Sequence, residues 1–156
     1  MTEAIDLWPD KIAIDEKIIT PVTILRQQAS LLSDKTQNVL EGEVEDVKNT
    51  SEPYDFHYAF YIIAPNLNNY RYRLLDIFYN ISPLYPLRVE LETDIYKEIS
   101  PKFKSQKRTI GATSEKDFLD LLKEIFNSKK VLRVISVLLS QSDPSYDPSL
   151  KEETQQ

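Results

Sequence analysis

Cysteine is absent from this 156-residue chain, so no disulfide, thiolate metal site or thiol nucleophile can be built from it, in keeping with a reducing compartment. Glycine is scarce: Gly42 and Gly111 are the only two, which argues against phosphate-cradling loops and against a fold made of many tight turns. His57 is the one histidine, so no Cys-His, His-His or Glu-x-x-His spacing exists for a metal. A Ser-His-Asp triad would have to rest on that residue, with no nucleophile-elbow signature to support it. No apolar run approaches the roughly 18 to 20 residues that span a bilayer. The opening Met1-Thr2-Glu3-Ala4-Ile5-Asp6 lacks the basic start and apolar run of a signal peptide. These absences point to a cytoplasmic protein with no membrane partner.

What is present fits one globular domain. A hydrophobic fraction of 41% beside 28% charged residues is that of a folded chain and not a disordered one. The formal net charge of -6 disfavours non-specific binding to nucleic acid and to anionic membranes.

The pattern along the chain predicts an α+β fold: an N-terminal helix, a four-stranded antiparallel meander and two C-terminal helices. Thr20-Pro21 is an N-cap with proline at the first helical position. Ile24, Leu25, Gln28, Ala29, Leu31 and Leu32 then mark one side of a helix ending near Thr36. The first strand runs from Val39 to Lys48, with Leu40 and Val44 inward and Glu41, Glu43 and Glu45 outward. The second, Phe56 to Ala64, places Phe56, Tyr58, Phe60 and Ile62 inward and His57, Ala59, Tyr61 and Ile63 outward. In the third, Tyr70 to Ile81, the apolar phase slips between Leu74 and Leu75, as a β-bulge there would produce. Leu87 to Glu92 alternates as the fourth strand. Asp94 to Gly111 shows no period and reads as a loop. Thr113 or Ser114, with Asp117 behind it, caps a helix carrying Phe118, Leu121, Leu122, Ile125 and Phe126, and Ser128 caps another carrying Val131, Val134, Ile135 and Leu138. Residues 1–142 form the domain, and 143–156 are a polar, proline-broken tail.

A helix, a four-stranded meander, the Tyr85-Pro86 step between the third and fourth strands, and C-terminal helices together resemble the ubiquitin-conjugating-enzyme-like and RWD folds. The resemblance covers Pro21 to Ser140. Conjugating enzymes also carry a His-Pro-Asn step and a catalytic cysteine after the fourth strand, and both are missing here. The resemblance therefore implies a non-catalytic relative that binds other proteins.

Several residue groups bear on function. Glu41, Glu43 and Glu45 have the carboxylates a hard cation takes, but alternate strand residues lie about 7 Å apart. A solvated face that discourages edge pairing is the simpler reading. Lys97, Lys102, Lys104, Lys107 and Arg108, with Tyr96 and Phe103 among them, form a basic stretch of the kind that binds single-stranded nucleic acid or an acidic protein; a solvated loop explains it as well. Tyr70-Arg71-Tyr72-Arg73 and the neighbouring Tyr61 are residue types enriched at protein interfaces and form the candidate interaction surface. Ala59, Tyr61 and Ile63 make the outer face of the second strand apolar. Trp8, Ile12 and Ile14 of the N-terminal segment are expected to cover it, in preference to a partner.

These observations describe a non-enzymatic interaction module of adaptor, chaperone or inhibitor type, with no cofactor and no metal. An acidic immunity or antitoxin-like protein that neutralises a basic partner is the alternative within binding. An enzyme working through carboxylates, with His57 or a lysine carrying the proton, is the alternative from another class.

Overall fold

Thr20 starts the first helix as its sequence implies. Its backbone is extended, its hydroxyl accepts from the Thr23 N–H at 3.4 Å, and Pro21 takes the first helical position, where a missing N–H costs nothing. The computed structural model describes residues 3–12, 17–47, 53–103, 105–106, 108–143 and 145. Helix α1 (Pro21–Lys35) buries Val22, Ile24, Leu25 and Ala29. Thr36 ends it and hands the chain to the sheet: its buried hydroxyl donates to the Leu32 carbonyl at 2.9 Å and accepts from the Leu40 N–H at 3.1 Å.

Strands β1 (Glu41–Asp46), β2 (Phe56–Ala64), β3 (Tyr70–Tyr79) and β4 (Leu87–Leu91) pair antiparallel in sequence order. The expected bulge is there: Phe60 pairs with Leu75 and Tyr61 with Arg73, so Leu74 is the extra residue of β3. Because of it, Tyr70, Tyr72, Leu75, Ile77 and Tyr79 all fall on one face despite the broken alternation. A short 3₁₀ turn at Pro65–Leu67 links β2 to β3, followed by Asn68 and Asn69 at φ 60 and 57, a left-handed conformation asparagine tolerates.

The sheet is larger than four strands. Asp94 to Gly111, expected as a loop, folds into α2 (Thr93–Ile99), a 3₁₀ turn, and a hairpin of β5 (Ser105–Gln106) and β6 (Thr109–Ala112). Strand β6 pairs with β4, giving a six-stranded order β1-β2-β3-β4-β6-β5. Ile95 and Ile99, one helical turn apart, are both buried in α2, and Ile110 and Ala112 alternate inward in β6. The last helices match expectation. Ser114 accepts from the Asp117 N–H at 3.1 Å to cap α3 (Glu115–Phe126), while Asp117 accepts from the Thr113 N–H at 3.2 Å. Ser128 accepts from the Val131 N–H at 3.3 Å to cap α4 (Lys129–Ser142). Of the polar tail, only residues 143 and 145 lie among those described.

One continuous core joins the four helices to the inward side of the sheet through Leu25, Leu40, Ile62, Leu75, Ile110 and Phe118, among others. Ala59, Ile63 and Phe78 stand outside that core, on the opposite, helix-free face. The described residues of the N-terminal segment do not cover them. Trp8 is 73% exposed and Ile12 69% exposed, and Ile14 lies outside the described residues. At Phe78, side chains of the sheet itself do the covering. The His57 ring stacks 4.0 Å from that of Phe78, and the Arg88 guanidinium lies 4.6 Å above the same ring.

Candidate functional site

The five residues of the expected interaction surface do not form one surface. Side chains alternate along a strand, so Arg71 and Arg73 emerge on the helix-free face, beside Tyr61, while Tyr70 and Tyr72 emerge on the helical side. The first group is internally satisfied. Arg71 stacks over the Tyr61 ring at 4.1 Å and bridges Glu43 and Glu45 at 3.2 and 3.1 Å. Two of the three carboxylates considered as cation ligands, Glu43 and Glu45, are thus held by a guanidinium, and all three lie on β1, an edge strand of the sheet. Among the described residues no three His, Asp or Glu side chains converge in metal-ligating geometry.

Asp76 is the other polar junction of this face. It receives the Arg73 Nε at 2.8 Å and a second guanidinium bond, and His57 Nε2 lies 2.5 Å away. The Asp76 carboxylate holds the Arg73 guanidinium above its ordinary range, mainly through that hydrogen bond. His57 is buried between this carboxylate and Phe78. Asp76→Ala should therefore cost about 1 to 3 kcal/mol, by leaving the buried His57 ring nitrogen without its partner, while the half-exposed Arg73 guanidinium regains water. Glu43→Ala removes half of an exposed pair and should cost less than about 0.5 kcal/mol. Urea midpoints of the two variants check this; equal losses would show that Asp76 is no junction.

The basic stretch is likewise dispersed. Lys97 is on α2, Lys102 pairs with Glu124 at 2.8 Å, Arg108 sits in the β5–β6 turn, and Lys104 and Lys107 lie outside the described residues. Tyr96 donates to the Ser105 hydroxyl at 2.8 Å, and Phe103 is half-buried.

Helix α4 is the element that gathers accessible surface of the interaction type. It is clamped at both ends. The Lys129 N–H donates to the Glu98 carboxylate at 2.9 Å, Lys130 bridges Glu92 and Asp94 at 3.2 Å each, and Asn66 donates to the Ser142 carbonyl at 3.5 Å. Between the clamps the apolar stripe is wider than the buried face, and Lys129, Arg133, Ser136 and Ser140 form the polar side. Val131, Leu138 and Leu139 are buried and Val134 and Ile135 half-buried, while Leu132 and Val137 face solvent at 48% and 43% exposure. Its charges are Lys129, Lys130 and Arg133, with no acidic residue, on a chain of net charge -6.

Two grooves flank it. One, of about 280 Å³, runs between α4 and Leu31 and Leu32 of α1, over a floor of Phe60, Ile62 and Leu74. The other, of about 490 Å³, lies between α4 and Leu67, Tyr70 and Tyr72, with Lys130 and Arg133 on its rim. Here Tyr72 donates to Glu92, and burial, reinforced by that carboxylate, pushes its phenol above the ordinary range. The carboxylates of Glu92 and Asp94 in turn raise the Lys130 ammonium.

The sequence reading found Tyr70 and Tyr72 but missed Leu132, Arg133 and Val137. The signal lay in α4 itself, whose apolar stripe is widened at its two edges by Leu132 and Val137. Compared with family models, curated proteins and solved structures, the chain matches none.

Proposed function

We propose that this protein is a non-enzymatic protein-interaction module whose docking face is α4 with the two grooves beside it. The observation that carries the reading is the exposure of Leu132 and Val137 at the two edges of a helix whose apolar stripe is wider than its buried face, rimmed by tyrosine and arginine and hydrogen-bonded at both ends. Apolar centres with aromatic and arginine rims are what protein interfaces are made of. The order of α1, the four-strand meander, Tyr85-Pro86 and the C-terminal helices supports a non-catalytic relative of the ubiquitin-conjugating-like and RWD folds, with the β5–β6 hairpin added at the β4 side. Among the described residues no helix is long and apolar enough to cross a membrane.

A photo-crosslinking residue placed at Val137, and as a control at Tyr61, tests this in the native cell. Crosslinked protein should form from Val137 and not from Tyr61. It should disappear in a Leu132→Lys, Val137→Lys variant whose circular dichroism and melting temperature are unchanged. Equal crosslinking at both positions, or none at either, would remove α4 as the docking face.

A further inference from the structure

We infer that the occupant of the groove between α4 and Tyr70 is the N-terminal segment of a second copy of this chain, so that the protein self-associates by exchanging arms. This rests on the reading of α4 as a docking face.

The segment Glu3-Ala4-Ile5-Asp6-Leu7-Trp8-Pro9-Asp10 has the composition that groove would select. Ile5, Leu7 and Trp8 are apolar and stand 73% or more exposed, and Trp8 is the only tryptophan of the chain. A tryptophan carries a large contact area at small entropic cost and is among the commonest anchors of interfaces. Glu3, Asp6 and Asp10 interleave with these side chains, and the groove presents Arg133 on its rim beside Leu67, Val134 and Val137, while Lys130 is already paired with Glu92 and Asp94. Acid and apolar residues on one side thus meet basic and apolar residues on the other, which is the complementarity that sets register and suppresses wrong partners. The Trp8 backbone N–H donates to Asp6 Oδ1 at 3.0 Å, a local turn that shapes the segment before it docks.

Geometry favours a second copy over the segment's own groove. Helix α1 enters beside Tyr79, whose hydroxyl meets the Val22 backbone, whereas the groove opens at Tyr70 and Tyr72, at the other end of β3. That separation is roughly 30 Å along a strand. The stretch from Trp8 to Thr20 reaches at most about 40 Å fully extended, so docking on its own chain requires a nearly straight path around the helices. Exchange between two copies needs no such path, and two-fold symmetry makes the contact twice.

The sole tryptophan provides the measurement. Sedimentation of the full chain should pass from monomer to dimer mass with rising concentration, and Trp8 emission should move to shorter wavelength over the same range. Trp8→Ala should weaken the dimer by roughly thirtyfold or more, the loss typical of a buried anchor. Arg133→Glu should weaken it as well, and adding Asp6→Arg and Asp10→Arg to that variant should restore association. Emission fixed at the exposed wavelength throughout, or a dimer indifferent to Trp8→Ala, would overturn the inference. A short-wavelength emission that persists at monomer mass would also overturn it, placing the arm on its own chain. Blue-shifting only with anionic vesicles would replace the second copy by a membrane surface. If the arm variants lose the dimer test while crosslinking at Val137 continues, the docking face stands and only the arm assignment falls.

Discussion

Replacing Gly42 by valine should cost about 3 kcal/mol, the upper end of what overpacking a close contact costs, and lower the melting temperature by roughly 6 to 12 °C for a domain of this size. Gly42 and Val44 of β1, with Leu40 just before it, face α1, and a Cβ at residue 42 would stand 2.5 Å from the Ala29 Cα and 2.9 Å from its carbonyl oxygen. Those are backbone atoms, so helix and strand must separate, and the buried side chains of Leu25 and Leu40 separate with them. Valine is otherwise well suited to a strand, which isolates the steric cause. Gly111→Ala is the control. A Cβ there meets nothing nearer than the Leu87 carbonyl at 3.8 Å, and the change should leave stability within about 0.5 kcal/mol. Thermal melts of the two variants decide the matter; a tolerated Gly42→Val would mean that α1 does not sit against β1 as described.

Alkali should unfold this protein through its buried phenols. Burial pushes the Tyr79 phenol up to about 12 and the Tyr85 phenol up to about 12, and Tyr72 is raised further, by burial and by Glu92. The Tyr85 hydroxyl is buried with no hydrogen-bond partner among the described residues, so nothing there stabilises a phenolate. In the unfolded chain tyrosine ionises near pH 10. Between pH 10 and about 12 the folded state therefore holds protons that the unfolded state has released, and stability falls as pH rises through that window. Below pH 10 the contribution is fully present. Tyr79 is 2% exposed, and it alone should account for about 2 to 3 kcal/mol lost by pH 12. The measurement is phenolate absorbance followed alongside circular dichroism from pH 9 upward. A buried subset of the nine tyrosines should titrate only as the dichroism collapses, and Tyr79→Phe should soften the collapse. If all nine titrate near pH 10 with the native dichroism intact, the phenols are not buried as described.

Local rules were enough wherever a signal repeats within one element. The caps at Thr20, Ser114 and Ser128, the span of β2 and the bulge at Leu74 all follow from residue type and spacing, because the groups involved lie within a few residues of each other. The excursion from Thr93 to Ala112 escaped that reading. Helix α2 is only seven residues long and has no side-chain N-cap hydrogen bond, and β5 has only two residues, too short for any period to show. Their structure comes from tertiary burial of Ile95, Ile99 and Ile110 against a core already formed.

The interaction surface shows the same division. Tyrosine and arginine in β3 were legible as interface residues, but strand alternation sends Arg71 and Arg73 to carboxylates on the helix-free face and Tyr70 and Tyr72 toward α4. Pairing partners 26 and 28 residues away from Arg71, on β1, could not be read from its own neighbourhood. By itself the sequence determined which segments fold and which side of each is apolar, since propensity, capping and periodicity act within a few residues. Only the tertiary structure decided which polar groups neutralise one another and that α4 keeps Leu132, Arg133 and Val137 in solvent, because exposure depends on what the distant chain brings alongside.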